Sequence, residues 1–180
     1  LTVPEDLCLM QKQGDSYCLI AACVCAPSYW FLPAKTGQSL TKIHEPVPGL
    51  NDTLGMRMNK FFDRLPEGRV FTRRNWLIHS SRERFHPRGE QREQLHTLAQ
   101  AKALVMRSET QTLRRLSDAV VAFTIGVECY PLSQIYGHKA SAEALEQALL
   151  SRSPDEKEAA GQHSYEGAVL KLLASAKAGS

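Results

Sequence analysis

Two short apolar runs open the chain, and a polar turn separates them. Residues 7–10 and 17–25 are apolar and rich in side chains that favour strands. The polar stretch between them contains Gly14-Asp15, a common turn sequence. This pattern predicts a β-hairpin. The segment that follows, as far as Gly49, contains several prolines and glycines, which favour short helical turns and loops over one long element.

The middle of the chain changes period. Between residues 51 and 65 apolar side chains recur at three- and four-residue spacing, which predicts an amphipathic helix that ends at Pro66. The apolar positions of this helix are Leu54, Met58, Phe61, Phe62 and Leu65. Residues 70–79 then predict a strand, and the charged stretch 80–100 predicts an exposed loop that can end in a helical tail.

The remaining pattern predicts a second hairpin followed by helices. Residues 103–113 predict one strand and the strongly apolar residues 119–127 predict the next, with a tight turn at Asp118 between them. Residues 141–151 and 168–176 predict helices, and 151–164 predicts a polar linker. The order is two strands, short helices, one longer helix and three strands, then C-terminal helices. This order predicts an α+β, PAS-like fold: a five-stranded antiparallel sheet with inserted helices, able to hold a ligand between them. We assign residues 1–136 to a PAS-like ligand-binding domain and 137–180 to a C-terminal helical extension.

The strand at 103–113 carries polar side chains where a core strand would carry apolar ones. Alternation places Val105, Arg107, Glu109 and Gln111 on one face. This row is either the solvated side of the sheet or the lining of a pocket. In a pocket, the carboxylate and guanidinium could orient a substrate or move protons.

Histidine and arginine supply the other candidates. His44 precedes two prolines, which restrict the backbone beyond it. A rigidly placed neutral imidazole is what an axial heme ligand requires, although a loop histidine with a local hydrogen bond is the alternative. His79, at a strand end, is the reserve candidate. The adjacent Arg73 and Arg74 either contact an anion such as a heme propionate or form a surface pair beside a core Trp76.

Composition and charge exclude several classes of function. The 180 residues carry a net charge of +3, too little to indicate nucleic-acid binding, and no apolar run is long enough to span a membrane. No leader pattern opens the chain, and the five cysteines are most simply reduced thiols, so we expect a cytoplasmic protein. Cys23 and Cys25 lie in an apolar run and are expected to be small buried side chains on one strand face. No phosphate-binding loop and no Gly-x-Ser-x-Gly motif is present.

Several segments together resemble one family, the heme-dependent oxidative N-demethylase α-subunit-like proteins, over residues 5–132. They are Glu5-Asp6-Leu7-Cys8, His44-Glu45-Pro46-Val47-Pro48-Gly49, Phe61-Phe62-Asp63-Arg64-Leu65, Arg74-Asn75-Trp76 and Arg107-Ser108-Glu109-Thr110-Gln111-Thr112-Leu113-Arg114-Arg115-Leu116. The resemblance implies a PAS-like fold whose heme uses dioxygen to oxidise an N-methyl group of a small methylated amine. It also implies electrons from NADPH, delivered through flavin and iron–sulfur cofactors on reductase or ferredoxin-type partner subunits.

The resemblance assigns roles to individual residues. His44 is the expected axial ligand of the heme iron. Arg107, Glu109 and Gln111 are expected catalytic pocket residues. Arg114, Arg74 and Trp76 are expected heme-contacting residues.

One difference from the family favours an alternative function. After the last strand's Phe-x-Ile run, family members usually carry a basic residue, Thr and Tyr, whereas this chain has Gly126, Val127 and Glu128. The alternative is a PAS-like sensor domain that binds heme or another small molecule without catalysis.

Overall fold

The computed structural model describes residues 3–44, 52–87 and 94–178, and within this part the side chains of residues 52–54 are excepted. Its strands are β1 (Asp6–Gln13), β2 (Ser16–Cys23), β3 (Val70–His79), β4 (Val105–Arg115) and β5 (Val120–Pro131). Its α-helices are α1 (Leu32–Lys35), α2 (Leu40–His44), α3 (Asp52–Asp63), α4 (Leu98–Ala103), α5 (Lys139–Leu150), α6 (Pro154–Ala159) and α7 (Glu166–Ala178). Two 3₁₀ turns span Leu132–Ile135 and Gln162–Ser164.

The five strands form one antiparallel sheet in the order β2-β1-β5-β4-β3. Gly14 has a φ of 61° in the turn between β1 and β2, a left-handed conformation that glycine adopts without steric penalty. Strand β1 also pairs with β5, with Met10 opposite Val121 and Leu7 opposite Thr124. Helices α1 to α3 follow β2, and helices α5 to α7 follow β5. The α+β prediction is therefore confirmed.

The described residues group into two compact units. The first contains Leu1–Asn75, Glu83–Glu90 and Ser108–Glu128. Its core holds apolar side chains of β1, β2, α2, α3, β4 and β5: Cys8, Met10, Tyr17, Leu19, Leu40, Phe62, Leu65, Leu113 and Val121. Phe62 packs edge-on against Tyr17, with ring centroids 5.1 Å apart. The predicted apolar face of α3 is confirmed at Phe62 and Leu65, whereas Phe61 is exposed and the side chain of Leu54 lies outside the described part.

The second unit contains Trp76–Arg82, Gln91–Arg107 and Cys129–Ser180. Helix α7 is buried along most of its length, at Ala168, Val169, Leu172, Leu173 and Ala176. It packs with apolar side chains of α4 and α5, among them Ala101, Leu145 and Leu149. The predicted division at residues 136/137 stays a prediction.

Three local predictions are wrong. The helical tail expected for the charged stretch is present as α4, but the helix continues to Ala103, where the next strand was predicted to start, so β4 begins only at Val105. The predicted linker 151–164 contains α6, which starts at a Ser153/Glu156 capping box with Pro154 in the first turn. Cys23 and Cys25 are exposed rather than buried, because the apolar run ends where the strand reaches the surface.

Candidate functional site

The polar row of β4 is buried. Arg107 is 1% exposed, Glu109 7% and Gln111 5%, while their neighbours Thr110 and Thr112 are half-buried. The interpretation of this row as the solvated side of the sheet is therefore wrong. Buried polar side chains on a strand require partners, since an unpaired one costs about 1–3 kcal/mol.

Gln111 joins two charged side chains of the first unit. Its Oε1 accepts a hydrogen bond from Arg73 Nε at 2.5 Å, and its Nε2 donates to Glu109 Oε2 at 2.9 Å. Arg73 is itself exposed, so its guanidinium lies at the edge of the row, while the Glu109 carboxylate lies inside. The amide of Gln111 thus connects a carboxylate and a guanidinium and holds both in fixed positions.

His44 is the last residue of α2, and its ring is held by the helix itself. Its Nδ1 lies 2.8 Å from the carbonyl oxygen of Leu40, one turn earlier, and a carbonyl only accepts. Nδ1 therefore carries the proton and Nε2 presents its lone pair. The pKa of His44 is lowered, chiefly by burial and further by the positive charges of Arg73 and Lys35, against the opposing effect of the Leu40 carbonyl. The ring is neutral at neutral pH.

Arg73 links these predicted residues within the first unit, because it donates to Gln111 and its positive charge contributes to the lowered pKa of His44. The cluster of His44, Arg73, Glu109 and Gln111, here called the α2–β4 site, combines one neutral imidazole, one carboxylate and one guanidinium. Lys35 adds a second cation near the imidazole, and its Nζ donates to the carbonyl of Ile43 at 2.7 Å.

Other predicted residues lie elsewhere. Alternation along β3 and β4 places Arg74 and Arg114 on the strand faces opposite Arg73 and Gln111, and both are exposed. In the second unit, Trp76 is half-buried under the guanidinium of Arg152, 3.9 Å from the ring centroid. Arg107 and His79 are buried in that unit as well. Of the histidine motif, residues 45–49 lie outside the described part.

Two further residues had only weak signals in the sequence. Arg73, and not Arg74, is the arginine that contacts the β4 row, which strand alternation could have indicated once the register of β3 was known. Arg115 donates to five carbonyl oxygens around the end of α3 and the β4–β5 turn, those of Phe62, Asp63, Leu65, Ser117 and Asp118. Arg115 therefore closes the helix end and the turn. Of the adjacent pair, Arg114 is exposed and Arg115 has a structural role.

A shallow cavity of about 300 Å³ lies on the opposite face of the first unit's strands. Its lining consists of Val3, Glu5, Leu7, Thr110, Thr112, Thr124 and Gly126. Gly126 has room for a methyl group, since an added Cβ would meet only ordinary contacts at 3.6 Å and 3.7 Å. Val127 is buried and Glu128 is exposed. Gly126, the first of the three positions that differ from the family pattern, therefore lies in the lining of this cavity.

Neither a metal-binding cluster nor a membrane-spanning helix is found among the described residues. No group of three or more His, Cys, Asp or Glu side chains there is placed to hold a metal ion. None of the described helices has the length and apolar character that crossing a membrane requires.

A sheet with helices inserted after its second strand defines an α+β domain, and the buried polar row of β4 and the neutral His44 are its candidate site residues. Over residues 1–170 the chain matches the model of the family described as "Haem-dependent oxidative N-demethylase, alpha subunit-like", and it belongs to that family. The family prediction is confirmed, and the description indicates an oxidoreductase, heme dependence and the place of an α subunit. A search of curated proteins finds no match to the chain.

Proposed function

We propose that this protein is the heme-binding subunit of an oxidoreductase that removes an N-methyl group from a small methylated amine, using dioxygen. We further propose that its fold is PAS-like. One observation carries the proposal: His44 is a half-buried neutral imidazole whose Nδ1 donates to the Leu40 carbonyl, and the charge of Arg73, which donates to the buried Gln111–Glu109 pair, acts on it.

The side chains of the α2–β4 site fit heme. Iron binds a neutral imidazole nitrogen, and a hydrogen bond from the other ring nitrogen to a carbonyl fixes the ring and its tautomer. Arg73 and Lys35 are the cations whose charges act on His44, so they are placed to pair with the carboxylates of heme propionates. Arg74 and Arg114 are the sequence-based alternatives for this contact, and the roles of Trp76 and Arg107 stay predictions.

Glu109 would bind the substrate. A small methylated amine is a cation at neutral pH, and a nearly buried carboxylate pairs with a cation more strongly than an exposed one. The Gln111 amide, which donates to Glu109 Oε2, fixes the orientation of the carboxylate that would bind the ammonium group. Glu109 and Gln111 would therefore position the N-methyl group, and Glu109 could accept the proton that the amine releases.

Bound heme would supply the activation of dioxygen that oxidises the methyl carbon. The carbon leaves as formaldehyde, one oxygen atom of dioxygen leaves as water, and NADPH provides the two electrons. Because an α subunit works with other subunits, we propose that flavin and iron–sulfur cofactors on reductase or ferredoxin-type partner subunits deliver these electrons.

The second candidate is a PAS-like domain that binds heme or another small ligand without turnover. Gly126, Val127 and Glu128 favour it, because they replace the basic, Thr and Tyr side chains usual at these family positions. Where the ligand of the second candidate is heme, the two candidates share the heme site and differ in whether an amine is oxidised there.

The test has two stages. The purified protein is titrated with heme, and visible spectra are compared for the wild type, His44→Ala and the matched control His96→Ala, which removes an exposed histidine. We expect a Soret band that shifts only in His44→Ala. Hydrogen peroxide is then added with dimethylamine, because peroxide supplies both the oxygen and the electrons and no partner is needed. Formaldehyde above the level of free heme supports the enzyme, whereas a normal Soret band without formaldehyde supports the sensor.

A further inference from the structure

Two exposed thiols meet where β2 ends. Cys23 is the last residue of β2, and Cys25 follows two positions later in a bend of the chain. Both side chains are exposed, so the two thiols lie within two residues of each other on the surface. The other cysteines differ, because Cys8 and Cys18 are buried and Cys129 is half-buried.

The backbone fixes this pair of thiols. Strand pairing holds Cys23 opposite Leu7 in β1. The carboxylate of Asp6, only 1% exposed, accepts hydrogen bonds from the backbone N–H groups of Cys25 at 2.7 Å and Ala26 at 3.0 Å. A buried carboxylate with two backbone donors is a specific anchor, so the bend that brings Cys25 back towards Cys23 belongs to the folded structure.

The surroundings restrict the chemistry of the pair. Zinc and iron–sulfur sites need three or four ligands, and the described residues offer no cluster of three. What two neighbouring thiols can do alone is form a disulfide, or bind a soft ion with two sulfur ligands.

We propose that Cys23 and Cys25 form a reversible dithiol–disulfide site that a hydroperoxide oxidises. Cys23, as the thiolate, attacks a peroxide oxygen, and the O–O bond breaks to give a sulfenic acid at Cys23 and one molecule of water or alcohol. The Cys25 sulfur then attacks the Cys23 sulfur, the S–S bond forms, and the hydroxyl group leaves with a proton as water. The two thiols lose two electrons and the peroxide gains them.

The surroundings of Cys25 support this division of roles. The pKa of the Cys25 thiol is raised, chiefly by its interaction with Cys23 and further by the carboxylate of Asp6, which binds the backbone N–H of Cys25 at 2.7 Å. Cys25 therefore keeps its proton while Cys23 reacts.

The spacing allows a disulfide that is easily reduced. Residues two apart in a strand have Cα atoms about 6.5 Å apart, near the upper end of the range for disulfides, and a bend shortens this distance. A bridge that spans one residue is strained and exposed, and such bridges are the readily reducible ones. We expect thioredoxin or dithiothreitol to restore both thiols.

The experiment follows the intact mass and the thiol content of the full chain, free of heme, after treatment with hydrogen peroxide. The variants are Cys23→Ser and Cys25→Ser, with Cys129→Ser as the matched control. In the wild type and in Cys129→Ser we expect the loss of two hydrogen atoms and of two thiols, reversed by dithiothreitol. Cys25→Ser should accumulate a sulfenic acid that dimedone traps at position 23, and Cys23→Ser should trap far less.

Three results would overturn the proposal. The first is a disulfide that includes Cys129 or joins two chains. The second is oxidation of both thiols directly to sulfinic acids with no loss of two hydrogens. The third is resistance of the pair to peroxide together with stoichiometric Cu(I) binding that Cys23→Ser abolishes, which would make the pair a soft-ion site instead.

Discussion

Two buried glutamines, one in each compact unit, use the same side chain in opposite ways. Gln162 in the second unit is fully buried, and its Nε2 donates to the carbonyl of Leu149 at 2.8 Å and to Glu166 Oε1 at 3.0 Å. Its Oε1 accepts from Arg152 at 3.1 Å. Gln111 in the first unit also has both ends of its amide bound, but to the side chains of Arg73 and Glu109.

The difference separates a residue that holds the fold from one that arranges a site. The carbonyl of Leu149 belongs to the last turn of α5, where intrahelical donors run out, so Gln162 closes the helix end. Gln111 satisfies no backbone group in these bonds and instead orders a carboxylate and a guanidinium. We therefore expect loss of Gln162 to reduce stability and loss of Gln111 to reduce ligand binding.

The largest effect should come from Arg115→Ala. Arg115 belongs to the first unit but, like Gln162, bonds to the main chain. It therefore tests whether the loss of stability follows from bonding to the backbone or from the unit to which the residue belongs. Losing hydrogen bonds to five carbonyls at the end of α3 and the β4–β5 turn should lower the free energy of unfolding by about 3 kcal/mol. Urea denaturation measures it. The matched control Arg114→Ala should change stability by less than about 0.5 kcal/mol, and equal effects of the two would contradict the structural role.

Gln162→Leu should have the next largest effect. The leucine fills the volume but leaves the Arg152 guanidinium and the Leu149 carbonyl without the amide, which should lower the free energy of unfolding by about 2 kcal/mol. Thermal unfolding followed by circular dichroism would show the loss, and heme binding should not change. A stable variant with weakened heme binding would reverse the comparison.

Gln111→Leu should show the opposite profile. Its partner Arg73 is exposed and can turn to water, so we expect a stability change below about 1 kcal/mol. Without the amide, Glu109 loses its fixed orientation, and the Kd of the heme-loaded protein for dimethylamine should rise about tenfold, equivalent to about 1.4 kcal/mol. The amine-induced shift of the heme spectrum reports the Kd. An unchanged Kd would remove Gln111 from the site.

The smallest effect concerns the pH dependence of the second unit. The pKa of Glu166 is lowered, chiefly by the Lys157 ammonium at 2.7 Å and also by the Gln162 amide. Its contribution to stability is therefore present above its ordinary value of 4.5 and is lost as the pH falls through the lower folded value. Glu166→Gln should reduce the change in the free energy of unfolding across this acidic range by a few tenths of a kcal/mol, since the pair is partly exposed. Glu143→Gln, at an exposed position of α5, should not.

The strands and the long helices were predictable because one side of each is buried, and burial leaves a period in the sequence. Strand β3 was predicted with its observed limits. Helix α6 was missed because it buries no side chain, so only its capping box marked it. The exposure of Cys23 and Cys25 was missed because an apolar run shows no sign of where the strand leaves the sheet.

The site was predictable in part. The polar alternation of β4 singled out Glu109 and Gln111, and the prolines after His44 singled out the imidazole. The choice of Arg73 over Arg74 could not be made, because it depends on the register between β3 and β4. The tautomer of His44 depends on a helix too short to leave a period in the sequence.

The central claim is that His44 Nε2 is the heme ligand, and chemical rescue tests it most directly. His44→Gly is titrated with heme, and the visible spectrum is recorded with and without free imidazole. We predict that the variant loses the wild-type Soret band and that imidazole restores it, because the small ligand replaces the missing ring in the space that the glycine leaves. A variant that keeps the wild-type spectrum without imidazole would contradict the claim.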